Sequence, residues 1–87
     1  LHTGKYADSS ENKKLDEIKL IKDCARYSKE LNINCHAGHG LNIKNVKPIA
    51  RIKEILELNI GHSIISDSIF QGLENSIKNM IKIINSA

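Results

Sequence analysis

Two histidines lie in glycine turns, and they are the residues of this sequence best placed to do chemistry. In Asn34-Cys35-His36-Ala37-Gly38-His39-Gly40-Leu41 an imidazole stands between two glycines at the end of an apolar stretch. Histidine titrates near neutrality, so it can deliver a proton and recover it at ordinary pH. Gly38 and Gly40 let the backbone bend sharply and come close to a ligand. Gly61-His62 repeats the arrangement one structural unit later. Two such turns at the ends of consecutive strands predict one shared anionic ligand. His39 is the candidate for proton transfer. Gly40, Gly61 and His62 are candidates for holding a phosphate, their backbone N–H groups aimed at its oxygens and a helix dipole adding to the attraction. His2 and His36 are further imidazoles that would face the same mouth.

Other chemistries fit less well. Cys35, His36, His39 and His62 are residue types that bind zinc. However, Cys35 and His36 are adjacent on a stretch that reads as a strand, and adjacent strand residues point to opposite faces. They would not join one tetrahedral site, so no metal is assigned, and no cofactor is implied. Cys35 fails as a nucleophile on the same ground, because its face is the apolar one. Met80 falls in an apolar helical stripe and reads as packing.

The elements that must position these groups follow from periodicity. Residues 8–11 read as a helix entrance, with Asp8, Ser9 or Ser10 able to cap it. The helix should run to about Leu31 and bury Leu15, Ile18, Ile21 or Lys22, Ala25 and Ser28, with Leu20, Cys24 and Leu31 widening the stripe. Asn32 suits the stop, since asparagine tolerates left-handed backbone. Residues 33–37 form a strand with Ile33, Cys35 and Ala37 on an apolar face and Asn34 and His36 on a polar one. Residues 38–44 are a loop, and Asn45 would cap a short helix that carries Pro48 in its first turn. Residues 56–60 repeat the strand pattern, with Leu58 and Ile60 opposed to Glu57 and Asn59. A short helix over residues 63–71 follows. After Gly72 comes a longer one through Ile84, whose buried stripe would be Leu73, Ile77, Met80, Ile81 and Ile84.

Strands separated by helices, with matching polar faces and matching glycine turns, are the pattern of a parallel sheet. In a (β/α)8 barrel the loops after the seventh and eighth strands, with the N-terminus of a short extra helix, commonly bind phosphate. The order here has that layout. At 87 residues the chain is at most one small domain, and it would bury only about 60–65% of its unfolded surface. Leu1-His2-Thr3-Gly4 looks like the end of a strand, which predicts that Leu1 is a cut into a longer protein. The net charge of +3 comes with acidic residues among the lysines, and aromatics are only 3% of the chain. That combination argues against nucleic-acid binding. No stretch approaches the ~20 apolar residues of a membrane span, and no signal peptide is visible. Cys24 and Cys35 lack a CxxC spacing and fit reduced thiols in a cytoplasmic protein.

Taken together, His2-Thr3-Gly4 with Tyr6-Ala7, Ala37-Gly38-His39-Gly40-Leu41, Asn45-Val46, and Glu57-Leu58-Asn59-Ile60-Gly61-His62 with Ile64-Ile65 resemble the last third of the pyridoxine 5′-phosphate synthase family. The resemblance runs over nearly the whole chain. It implies that residues 1–87 are the C-terminal segment of a single (β/α)8 TIM barrel, from the end of strand six through the last helix, with the N-terminal strands outside this chain. The family condenses 1-deoxy-D-xylulose 5-phosphate with 3-amino-2-oxopropyl phosphate to pyridoxine 5′-phosphate, phosphate and water, in vitamin B6 biosynthesis. By resemblance His39 falls on the proton donor, while Gly40, Gly61 and His62 fall on positions that hold the phosphate of the amino-ketone. A cytoplasmic homo-oligomer is also implied. The family's proton acceptors, a histidine and a glutamate, have no counterpart here, and a stabilising glutamate would stand just before Leu1. This segment alone should therefore be inactive. His36 and Asp67 stand where relatives often carry Asn and Arg, which makes the surroundings of the phosphate less positive. The alternative is a non-catalytic phosphate-binding barrel fragment.

Overall fold

The computed structural model describes all residues, Leu1–Ala87. Its elements are α1 (Gly4–Asp8), α2 (Glu11–Glu30), β1 (Cys35–Gly38), α3 (Val46–Ala50), β2 (Ile55–Asn59), α4 (His62–Gln71) and α5 (Leu73–Asn85). It is an α/β fold in which β1 and β2 pair in parallel, as two like-patterned strands separated by a helix predict. Residues 1–3 line the other edge of β1. There, Thr3 donates its amide to the Gly38 carbonyl at 2.8 Å, the Gly38 amide donates to the Leu1 carbonyl at 3.0 Å, and His2 bridges Gly38 in parallel. Three parallel segments therefore end at the same edge, which is where the loops that carry His39 and His62 begin.

The sheet has the two faces its sequence encodes. Cys35 and Ala37 are buried beneath the helices, and Leu58, Ile60 and Ile64 pack against the same core with Tyr6, Ile21, Ala25, Leu41, Val46, Ile49, Ile52 and Met80. His36, Glu57 and Asn59 are exposed on the opposite face. Gly38 is needed for the pairing itself. A Cβ at that position would stand 2.8 Å from the Asn59 carbonyl oxygen, so only glycine lets the two strands close at their ends.

Several expectations about the elements are corrected. Residues 4–8 form α1, a separate short helix that closes back on Thr3 through the Ala7 amide. In α2 only Ile21 and Ala25 are buried; Leu15, Leu20, Cys24 and Leu31 are exposed, so the apolar stripe is narrower than its spacing suggests. Asn32 does stop the helix in left-handed backbone, with φ 58°. Ile33 and Asn34 fall outside β1, and Ile33 is exposed, because the strand begins only where Cys35 finds a partner. The register of β1 against β2 slips between Cys35 and His36, which leaves Leu56 unpaired and facing solvent. Asn45 precedes α3 but does not cap it. Its side chain turns back to the loop before it.

The largest correction is in α5. Its buried face carries Ser76 and Met80, with Ile83 and Ile84 partly covered, whereas Leu73, Ile77 and Ile81 are exposed. The helix is rotated because α4 and α3 are its packing partners, and they cover one side only. The hydroxyl of Ser76 donates to the Asp67 carboxylate at 2.7 Å, an attachment that draws this polar residue inward. Ile65, Ile69 and Phe70 of α4 extend the uncovered apolar surface, Phe70 being 89% exposed. A compact monomer of this mass would expose about 5,100 Å², and this chain exposes 6158 Å². No helix is long and apolar enough to cross a membrane.

Tyr6 ties the N-terminal segment to the loop before α3. It is 2% exposed, and its hydroxyl donates to the Asn45 carbonyl at 2.6 Å. Burial, and secondarily the Glu11 carboxylate, raise its pKa above 10.0. The folded state thus holds the phenolic proton more tightly than the unfolded state, so this contribution to stability is complete below about pH 10 and is lost as pH rises through the folded pKa. Tyr6→Phe should lower unfolding stability by about 1 kcal/mol at neutral pH and flatten the fall above pH 10. Thermal unfolding against pH checks both effects.

Candidate functional site

A cavity of about 520 Å³ opens at the C-terminal edge of the parallel strands. Two segments form it, residues 39–42 after β1 and residues 59–63 across the junction of β2 and α4. It brings together all four residues singled out from the sequence: His39, Gly40, Gly61 and His62. Asn42, Asn59 and Ser63 line it as well. Asn59 is foreshadowed by its place on the polar face of β2. Nothing in the spacing marks Ser63, whose hydroxyl donates to the Leu41 carbonyl at 2.9 Å and fastens one loop to the other.

On one side the cavity is bounded by the start of α4. Gly61 precedes this helix, and the first amide to bond back into it is that of Ile65, which donates to the Gly61 carbonyl at 3.0 Å. The amides ahead of it in the first turn have no intrahelical acceptor, and the positive end of the helix dipole lies there. A Cβ on Gly61 would meet no protein atom within 4 Å. Glycine at this position therefore keeps open space beside the helix start rather than relieving a clash, and its φ of −135° is open to any residue. The cavity lining contains no lysine or arginine. Attraction for an anion would rest on backbone amides, the helix dipole and the imidazoles.

On the other side the backbone is strained. His39 has φ 88° and Gly40 φ 74°. The sequence placed the sharp bend on the glycines, yet Gly38 remains in the strand and the histidine itself takes the left-handed conformation. A non-glycine residue held there costs about 1–3 kcal/mol, and such residues cluster at functional sites. The carbonyl of His39 accepts a hydrogen bond from the Thr3 hydroxyl at 2.7 Å. The His39 ring stacks on His2, with centroids 4.2 Å apart and planes 25° apart. A Cβ on Gly4 would lie 2.6 Å from His2 and 2.7 Å from His39, so this glycine makes room for both rings.

Asn45 braces the loop from inside. Its side-chain oxygen accepts from the Asn42 amide at 2.8 Å, and its side-chain nitrogen donates to the Gly40 carbonyl at 3.0 Å. His36 stands away from the cavity, on the open polar face of the sheet, where its Nε2 lies 3.3 Å from a Glu57 carboxylate oxygen. His2, His36, His39 and Asn59 border a second, shallower hollow on that face. Asp67 is held by Ser76 and by Gln71, whose side-chain nitrogen donates to it at 2.8 Å. Its carboxylate is therefore joined to α4 and α5.

Fold and site define an α/β protein whose parallel strands end in two glycine-histidine loops around one cavity. The chain belongs to the family described as "Pyridoxal phosphate biosynthesis protein PdxJ", whose profile matches residues 1–86. Among similar proteins is the pyridoxine 5′-phosphate synthase of Zymomonas mobilis, 51% identical over 87 residues, covering all of this chain and 34% of the relative. The synthase of a Sulfurihydrogenibium species is 48% identical over 87 residues, covering all of this chain and 36% of its own length. That of Wolbachia pipientis is 50% identical over 80 residues, 92% of this chain and 33% of its own. The chain thus spans about a third of the length of the curated relatives it matches.

Gly40→Ala tests the loop. The substitution places a Cβ 2.7 Å from that of Ala7 and forces positive φ on a residue that avoids it. A loss of about 1–3 kcal/mol is expected, read as a lowered midpoint in urea unfolding. An unchanged midpoint would mean that the loop does not hold this conformation in solution.

Proposed function

We propose that these residues are the phosphate-binding end of a (β/α)8 barrel in a pyridoxine 5′-phosphate synthase, from the end of strand six through the last helix. The complete protein would condense 1-deoxy-D-xylulose 5-phosphate with 3-amino-2-oxopropyl phosphate. The observation that carries this reading is the single cavity in which His39, Gly40, Gly61 and His62 meet at the C-terminal edge of parallel strands. The names of the relatives and their identity over the full chain support it. The uncovered apolar faces of α4 and α5 and the free edge of β2 fit a sheet that continues beyond these 87 residues.

The chemistry divides between the two loops. The amides of Gly40, Gly61 and His62, with the first turn of α4, would hold the phosphate of the amino-ketone. That anchors the substrate and leaves its reactive atoms over the strand ends. His39 would then donate a proton to an oxygen that leaves as water during ring closure. Its strained backbone fixes where the ring can reach. Proton abstraction falls to groups contributed by the rest of the protein.

In the complete protein, His39→Ala should abolish ring closure, measured as pyridoxine 5′-phosphate formed, while binding of the amino-ketone phosphate persists. Near-normal turnover would remove His39 from the mechanism. Gly61→Val should have the opposite signature: the fold survives, since its Cβ meets open space and its methyls extend from there, and phosphate affinity falls. Unchanged affinity in calorimetric titration would exclude the Gly61 contact. Phosphate binding without turnover by the unaltered complete protein would favour a non-catalytic phosphate-binding role.

A further inference from the structure

His39 sits at the junction of two segments far apart in the chain, and residues 2–4 touch it in three ways. Thr3 is fully buried, and its hydroxyl makes its hydrogen bond to the His39 carbonyl at 2.7 Å, across 36 positions of sequence. A buried hydroxyl left without a partner is unfavourable, so this bond favours the backbone rotation that brings the His39 carbonyl toward Thr3. Gly4 supplies the clearance for both imidazoles. His2 supplies a flat surface for the His39 ring, and its own orientation is fixed by the Gly4 amide, which donates to its Nδ1 at 3.3 Å. Thr3 is in turn held by the sheet, its amide donating to the Gly38 carbonyl, and by α1, whose Ala7 amide donates to the Thr3 carbonyl. Backbone and ring of His39 are thus gripped separately, one by Thr3 and the other by His2.

We propose that Thr3 and His2 are positioning residues for His39: Thr3 maintains its positive-φ backbone and His2 sets the plane of its ring. The proposal rests on the reading of His39 as a proton donor. Neither residue lines the main cavity, so neither has a contact with the phosphate to lose.

The test uses the complete protein and the two phosphorylated substrates. Thr3→Val keeps the shape and deletes the hydroxyl, and Thr3→Ser keeps the hydroxyl. Thr3→Val should lower kcat by about 10–100-fold, the loss that follows from misplacing a catalytic group, with KM nearly unchanged and with His39 shifted away from φ 88° in its crystal structure. Thr3→Ser should restore most of kcat. A second pair, His2→Ala and His2→Phe, removes and then replaces the flat surface without touching the buried hydroxyl. Ala should lower kcat, and Phe should regain it. Wild-type kcat in Thr3→Val, or a parallel loss of kcat and substrate binding that Thr3→Ser does not rescue, overturns the assignment of Thr3. If Thr3→Val does not fold, the His2 pair decides, and equal kcat in its two members overturns the proposal. Absence of turnover in the unaltered protein would instead sink the synthase reading, and the two failures are distinguishable on that basis.

Discussion

Parallel pairing around Gly38 is the constraint on which the rest of this structure depends. Its amide and carbonyl join residues 1–3 on one side, and its missing side chain admits Asn59 on the other. Because all three segments run in the same direction, their chain exits lie at one edge. The loops after β1 and β2 and the turn into α1 therefore crowd together. Every contact around His39 follows from that convergence. An antiparallel arrangement would send alternate exits to opposite edges, and the two histidine loops would not share a cavity.

The loops were the most legible part of the sequence, and the helix faces the least. Gly38 and Gly40 mark places where a side chain would clash or be strained, and that information is local. Alternation in Cys35-His36-Ala37 and in Glu57-Leu58-Asn59 likewise set the two faces of the sheet. Helix faces are different. In α5 the apolar residues form one face that is wider than its neighbours cover, and only the position of α3 and α4 decides that Ser76 and Met80 turn inward while Leu73, Ile77 and Ile81 do not. The same applies to Leu15 and Leu20 in α2. Periodicity reports which residues could be covered, not which neighbour is present to cover them.

The site shows a related division. His39 was identifiable from its flanking glycines, but its own left-handed backbone was not, because histidine seldom takes it without outside support. That support comes from Thr3, an unremarkable polar residue in the sequence. Ser63 and Asn45 are similar cases: each makes a bond whose partner is known only once the chain has folded. Chemical groups can be found by type and spacing, while the groups that aim them are found by geometry.

The bracing of residues 40–45 by Asn45 bears on how binding free energy is divided. Its carboxamide links Asn42 and Gly40, and its main-chain carbonyl is fixed by the Tyr6 hydroxyl. The loop wall is thus ordered before any ligand arrives. A floppy loop would lose conformational entropy on closing around an anion, and that loss would weaken binding and blur discrimination between substrates of different shape. Here that ordering is achieved during folding, so less of its cost would fall on a ligand that contacts this wall. An occupant of this cavity would meet a wall whose shape Asn45 and Tyr6 have already set.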